Sequence, residues 1–504
     1  MEAVIKLPSS VKNWVSLAGA TIVLISLFMI IFLFSVTMIM EKQAAYLGLV
    51  VYILLPAVMI AGLLIIPLGM YLKVRQENRA GVCSMPGWPR VDLNDSRQRN
   101  AALIFIVGTI LFLFISAIGS YNAFEYTESV SFCGTLCHTV MEPEHVAHEN
   151  SAHARVSCVA CHVGPGADWY VRSKLSGLYQ VYAVTFNIFP RPISTPIENL
   201  RPARAVCEQC HWPQKFYAQQ YLVRTDYLQD QDNTRWDIGL ALKIGPPEQG
   251  AGYHSGIHWH VNPHVKIEYV AVDEKRENLP WVRYTNLDTG EVKIFQDTEN
   301  PIKPEELENA EHRTMDCLDC HNRPSHRYRS PNEFLNLAMT SGELPVDLPE
   351  LKATATRLCA QEYNTPEEAA GSIRTGLSTL YREKYPDIGK TRQAEVEKAI
   401  KGVQSAFARN IFPAMKVSWN AYPDHIGHLE SNGCFRCHNG RHRTDSGETI
   451  SKDCTLCHLI LDQGPQSGRK FAKANESLKF RHPVDIDNEW QEIACAECHQ
   501  AASP

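Results

Sequence analysis

Six short stretches of this 504-residue chain carry two cysteines separated by two residues and followed at once by a histidine. They are Cys158/Cys161/His162, Cys207/Cys210/His211, Cys317/Cys320/His321, Cys434/Cys437/His438, Cys454/Cys457/His458 and Cys495/Cys498/His499. Two thiols at this spacing add across the two vinyl groups of one porphyrin, and the adjoining imidazole is held where it ligates the iron. Zinc also uses paired cysteines, but it makes no demand for a histidine directly after every second one. A seventh site, Cys133/Cys137/His138, has three residues between its cysteines. A one-residue bulge still lets both sulfurs reach one porphyrin edge, so seven covalently bound c-type haems are expected.

Each iron needs a further axial ligand, and the chain has 20 histidines. Bis-histidine ligation keeps both redox states low-spin and six-coordinate, which favours electron transfer with little rearrangement and excludes small molecules. The candidates outside the motifs are His153, His258, His260, His326, His425, His428, His442 and His482. In GIHWH the alternation predicts His258 and His260 on one strand face, and the spacing of His425 and His428 predicts one helix face. Which of them serves which haem stays open.

The elements that must carry these motifs fall into two compositions. Residues 14–40, 46–72 and 101–124 contain no charged side chain. Each run is long enough to cross a hydrocarbon core that needs about 20 residues. The 73–100 loop holds Lys73, Arg75, Arg79, Arg90, Arg97 and Arg99, whereas the first turn has Lys42 beside Glu41. The positive-inside rule then places the N-terminus and that loop in the cytoplasm of a bacterium and everything after residue 124 in the periplasm, with the chain in the inner membrane. The first run is too long and continuous for a cleavable signal, so no cleavage is expected. Haem attachment takes place outside the cytoplasmic membrane and agrees with this topology. The two cysteines left over, Cys83 and Cys359, fall on opposite sides and are expected as plain thiols.

No histidine precedes His138, and no charged residue lies within the three runs. The membrane region thus offers neither an axial ligand for a buried haem nor a proton relay, and a lipid-soluble electron carrier should react at the periplasmic boundary.

Beyond the membrane, apolar periodicity is weak and Pro and Gly are frequent. The expected fold class is mainly α with much irregular structure: three transmembrane helices, then a periplasmic multihaem domain whose core is packed haems, with a small β-containing insert. Residues 1–124 form the membrane domain and 125–216 carry the first three haem sites. Residues 217–330 hold the insert (VKIEYVAV, VRYTNL) and the fourth, and 331–504 hold a helical spacer and the last three. Within the spacer, residues 365–410 read as helices interrupted around 385–389.

One resemblance is specific. An apolar span, a first haem site followed by Met141, then SAH shortly before CVACHVGPG, resembles the NapC/NirT family of membrane-anchored quinol dehydrogenases. CEQCHWPQKF and CLDCHNRPSH continue it, so the resemblance covers residues 101–328; with the spacer and the last three sites, the whole chain is similar to the heptahaem ImcH-type cytochromes. The resemblance implies that menaquinol or another quinol is oxidised beside the first haem at the periplasmic face. Electrons then pass along the haem chain to periplasmic c-type cytochromes, in anaerobic or extracellular respiration. It also implies that Met141 ligates the first iron, with His138 and a distal histidine as the other arrangement. Lys174 in DWYVRSKLSG matches a family lysine near the quinol. The carboxylate that the family places about two turns later is missing, so proton acceptance falls to Asp168, Glu142, Glu144 or water.

The implied partners are the quinone pool, periplasmic cytochromes and other membrane subunits, and no nucleic acid is expected. Formal net charge is −6 although the cytoplasmic loop is basic, so the exported part is acidic and suits a basic partner. Two other readings are a terminal reductase of a small nitrogen compound and an electron-transfer subunit of a larger membrane complex. No motif has Lys in place of its His, which speaks against the first.

Overall fold

The computed structural model describes residues 13–39, 54–79, 93–135, 138–164, 166–195, 201–212, 219–245, 256–487 and 489–499. Two units result, Met1–Thr139 and Val140–Pro504.

In the first unit, α1 (Trp14–Ile39) and α2 (Leu55–Arg79) pack along their length. Small residues set their approach. A Cβ on Gly19 would stand 2.8 Å from the Gly62 carbonyl oxygen, and one on Gly62 would stand 3.0 Å from that of Gly19. Such contacts bind helices where lipid removes the hydrophobic drive. The Ser16 hydroxyl donates to the Ile66 carbonyl at 2.9 Å, next to Pro67, which lacks the N–H that would continue the ladder. Trp14–Leu33 and Leu55–Glu77 are long and apolar enough to cross a membrane. The third apolar run lies within α3 (Ser96–Thr127), a single helix of 32 residues. Residues 40 and 46–53 of the expected spans, and Cys83, lie outside the described residues. Helix α2 also continues past residue 72 into the expected loop, where good helix formers and a Lys73–Glu77 pair at 3.8 Å extend it.

The second unit contains most of α4 (His138–Glu149), then α5 (Ala167–Thr185) and a haem-free helical layer of α6 (Pro331–Thr340), α7 (Leu351–Cys359), α8 (Pro366–Thr379) and α9 (Gln393–Ala408). Ser330 and Thr365 cap α6 and α8, each accepting from the backbone N–H three residues on, with Pro at the first helical position. The helical path breaks at Tyr385 and restarts at Pro386, within the interruption read from sequence. Ile373, Leu377, Ile400 and Val403 are fully buried between these helices. Each contributes about 1.5–3 kcal/mol relative to exposure. Cys359 is buried there too, and burial pushes its thiol up, as suits an inert core residue.

Lys352 is also fully buried in this layer. Its Nζ donates to Asn332 O at 2.6 Å and to Asn336 Oδ1 at 2.7 Å, bonds that a neutral amine keeps. Burial pushes its pKa down to about 7, against the attraction of Asp226 and Glu430. The unfolded side chain titrates near 10.4, so between these values the unfolded state binds the extra proton. Stability therefore rises with pH from about 7 to about 10 and is lost as pH falls back through 7. Lys352→Met should remove this slope. Circular-dichroism melting of the full chain at pH 7 and 9 should show the native protein gaining about 2 kcal/mol relative to the variant; parallel curves would refute the assignment.

The strands make two antiparallel sheets. The first is β1 (Gln220–Tyr227), β2 (Arg235–Leu242), β8 (His458–Pro465) and β9 (Lys470–Phe471), in the order β1-β2-β8-β9. The second contains β3 (Val265–Val270), β4 (Trp281–Asn286), β5 (Val292–Asp297), β6 (Arg313–Thr314) and β7 (His442–Arg443), ordered β6-β3-β4-β5-β7. The β structure is thus larger than an insert in 217–330, because β7, β8 and β9 come from the last haem region. They cover edges that β2 and β5 would otherwise leave with unpaired backbone groups. This ties the fourth haem region to the fifth and sixth.

Candidate functional site: six histidine pairs

The motif histidines of the second unit sit on very short elements. Cys158–His162, Cys317–Cys320 and Cys495–His499 are single helical turns, Gly433–Arg436 and Cys454–Leu456 are tighter 3-10 turns, and Ala203–Cys207 leads into the third motif. His458 opens β8, opposite Leu242 of β2. Gly433 has φ 45°, and a Cβ there would collide with the Gly427 carbonyl oxygen, which accepts the Cys434 N–H at 2.8 Å. Only glycine meets both demands.

Each of these motif histidines faces a second histidine. Ring centroids are separated by 6.2 Å in His162–His326, 5.9 Å in His211–His153 and 6.3 Å in His321–His258. They are 5.8 Å apart in His438–His260, 6.2 Å in His458–His428 and 6.2 Å in His499–His482. Two imidazoles bound to one metal at about 2 Å per bond put their centroids about 6 Å apart. The spacing fits one iron between the rings of every pair.

Hydrogen bonding agrees with the spacing. Nδ1 donates to a backbone carbonyl in His153 (Pro324 O, 3.0 Å), His258 (Ile244 O, 3.0 Å) and His260 (Ile257 O, 2.8 Å). The same holds in His326 (Glu144 O, 3.0 Å) and His482 (Val484 O, 2.7 Å). This bond fixes the tautomer and the ring direction and leaves Nε2 for a metal. His428 is instead held by stacking on Phe435, with centroids 4.3 Å apart. Burial pushes His326 and His428 down to about 4, so both imidazoles are neutral, as a ligand must be.

Two sequence candidates are engaged elsewhere. His425 Nε2 meets Lys275 O at 3.1 Å and its Nδ1 meets Asp319 O at 3.2 Å. His442 Nε2 meets Leu279 O at 2.7 Å and its Nδ1 meets Asn439 Oδ1 at 3.1 Å. Both rings spend both nitrogens on the protein, which corrects the expectation that they are ligands. The shared faces are corrected as well. GIHWH forms a 3-10 turn, Ile257–Val261, which turns His258 toward His321 and His260 toward His438, and no helix spans His425 and His428.

The motifs follow one another in space in their sequence order. Electrostatic interactions link Cys161 to Cys210, Cys320 to Cys434 and Cys437, Cys457 to Cys434, and Cys495 to Cys454; Cys207 and Cys317 lie within hydrogen-bond reach. These sulfurs stand for the thioethers of the haem-loaded protein, so their separation matters here and their titration does not. Residues between the cysteines, which carry no sequence signal, fasten neighbours together. Arg436 donates to Asp319 O at 2.7 Å, and the buried Asp319 carboxylate accepts from Tyr269 at 2.6 Å and Arg313 at 2.5 Å.

Of the first site, Cys133 is half-buried, while Cys137 and the side chain of His138 lie outside the described residues. Met141 is half-buried on α4. Of the four residues assigned to quinol, Asp168 and Glu142 are exposed, and Lys174 on α5 sits over the Tyr170 ring at 4.9 Å. Glu144 differs. Its Oε2 is buried without a hydrogen-bond partner, and burial raises its pKa against the pull of Arg323. Arg323 stacks on Tyr422 at 3.9 Å, and Tyr328 lies beside them. Sequence reading missed these three because nothing in HNRPSHRY marks them.

Short turns that present cysteine pairs and facing histidines, in a chain with apolar helices, define a membrane-anchored multihaem c-type cytochrome that transfers electrons. Residues 95–192 match the N-terminal region of the NapC/NirT cytochrome c family. The chain is also 42% identical over 492 residues, 97% of its own length and 96% of the relative's, to the cytochrome c-type protein ImcH of Geobacter sulfurreducens. No solved structure matches. The chain belongs to the NapC/NirT cytochrome c family.

Proposed function

We propose that this chain is a heptahaem quinol dehydrogenase of the inner membrane that passes electrons from menaquinol, or another quinol, to periplasmic c-type cytochromes. The observation that carries this reading is the unbroken series of six histidine pairs. Every iron between such a pair would be six-coordinate, which suits conduction and leaves no open position for a nitrogen substrate. In this reading His162, His211, His321, His438, His458 and His499 are proximal ligands, and His326, His153, His258, His260, His428 and His482 are their respective distal ligands. Haem, when bound, supplies one-electron carriers in series.

A second observation supports contact with the lipid-soluble donor. Helix α5 leaves Val171, Leu175, Leu178, Tyr179 and Tyr182 each more than half exposed, a stripe at helical spacing. We assign this face to the bilayer interface, with Arg172 and Lys174 at its polar flank. The third apolar run would be the third span, which leaves the haem unit periplasmic. Lys174 would donate to a quinone oxygen, and Glu144, kept ready by burial and an unpartnered oxygen, would take a proton. The irregular motif, with Met141 as the ligand we propose, would be the entry point; thioether ligation raises the potential there. Both protons and electrons leave on one side, so the reaction alone generates no membrane potential.

The test is anaerobic stopped-flow mixing of the oxidised, haem-loaded protein with a reduced menaquinol analogue, following the alpha band. Reduction should be fast. If dithionite reduced every haem while the quinol reduced none, the reading as subunit of a larger complex would replace this one.

A further inference from the structure

The series of motifs ends at Cys495/Cys498/His499, whose attachment cysteines interact only backward among the described residues, Cys495 with Cys454. Its surroundings differ from those of the inner motifs. Cys498 is exposed, and Val484 and Ile493 present uncovered apolar surface on either side of the His482–His499 pair. Trp490 packs edge-on against Phe480 at 5.2 Å, and Phe480 in turn meets His482 at 6.4 Å, so an aromatic path joins this surface to the ligand pair. Around it stand Asp485, Asp487, Glu489, Glu492 and Glu497, all exposed, and no Lys or Arg occurs between His482 and His499. The nearest cation is Lys452, whose Nζ is engaged with Gln491 O at 3.1 Å.

We propose that this apolar surface with its carboxylate rim is the docking site of a soluble c-type cytochrome whose own exposed haem edge is ringed by lysines. The inference rests on the reading of the chain as a conduit to periplasmic cytochromes and names the surface that delivers the electron. An apolar centre of two or three side chains gives a contact that forms and separates quickly. Five like charges around it steer a cationic partner and raise its association rate, an effect that salt weakens. One electron crosses: the last haem is oxidised from ferrous to ferric, the partner's ferric haem becomes ferrous, and no proton or bond moves.

The test measures binding with no turnover. The haem-loaded chain and a strongly basic monohaem cytochrome c, both fully oxidised, are titrated at low ionic strength and again with added salt. The rim variant combines Asp485→Asn, Asp487→Asn, Glu489→Gln, Glu492→Gln and Glu497→Gln. Its control carries the same number of neutralised carboxylates at exposed positions elsewhere, Glu305→Gln, Glu308→Gln, Glu362→Gln, Glu367→Gln and Asp387→Asn. The rim variant should bind at least tenfold more weakly with a flatter salt dependence, and the control should bind as the native protein does. Equal losses in both would mean that overall charge, rather than this surface, attracts the partner, and would overturn the proposal; so would no loss in either. Should the rim variant lose haem, zero-length carbodiimide crosslinking of the native pair decides instead. Crosslinks at Glu489, Glu492 or Glu497 support the site, and crosslinks confined elsewhere refute it. Quinol plays no part in either measurement, so a chain that failed to oxidise quinol could still pass, and the two readings fail separately.

Discussion

His260→Ala should convert one low-spin haem of the loaded protein to a high-spin form, visible as a new high-spin signal in electron paramagnetic resonance. His442→Gln should leave every haem low-spin. The two residues are equally plausible from sequence, since both are spare histidines near a motif. They differ in which nitrogen is free: His260 turns Nδ1 to its own turn's carbonyl and faces His438 at 5.8 Å, whereas His442 spends Nε2 on Leu279 O. His260→Met should keep six-coordination and raise the potential of that one haem by on the order of 100 mV, because thioether replaces imidazole. A step of that size in the middle of a series makes an electron trap, so passage to the last haem should slow while entry does not. An unchanged spectrum for His260→Ala would sink the pairing of His260 with His438.

Glu144→Gln should lower the rate of haem reduction by quinol about 100-fold, within the usual range for losing a positioned proton acceptor, while reduction by dithionite stays as fast as in the native protein. The pH dependence has a definite sign. Glu144 accepts a proton only when ionised, and burial raises its pKa. The native rate should therefore climb as pH rises through that raised value and level off above it, and the Gln variant should show no such limb. Lys174→Ala should slow the same step with a weaker pH effect, since its part is to bind. Leu175→Glu with Leu178→Glu tests the bilayer assignment of α5 separately: quinol in vesicles should react more slowly, while a water-soluble analogue reacts as before. If Glu144→Gln and the native protein gave one pH profile, the acceptor would have to be water or another carboxylate.

The acidic chain and its proposed acceptor also fit together. Charge attracts the partner, but only its arrangement around the last ligand pair decides where the partner stops. That is why the control with equal charge removed carries as much weight as the rim variant.

Haem attachment was legible in the sequence because it is local. Two thiols and an imidazole within five residues have one chemistry, whatever surrounds them, and the apolar runs are equally local statements about length and hydropathy. The helical layer was legible for the same reason, down to the break that the structure places at Tyr385. The axial pairs were not. His326 meets His162, and His153 meets His211, only because the turns that carry them are brought together by the fold. A histidine bonded through Nδ1 and one bonded through Nε2 are also the same letter in sequence.

The two sheets show the same limit. Alternating residues in β3 and β4 announced strands, but β8 contains Asp, Gln and Gly in LILDQGP and takes its strand form from pairing with β2. Sequence by itself determined which residues bond to haem and which segments prefer lipid, because covalent reach and transfer free energy act over a few neighbours. Tertiary structure decided which histidine closes each iron, which carboxyl lies buried without a partner, and the order in which the sites meet. Those are properties of distance between remote segments, and only the folded backbone sets them.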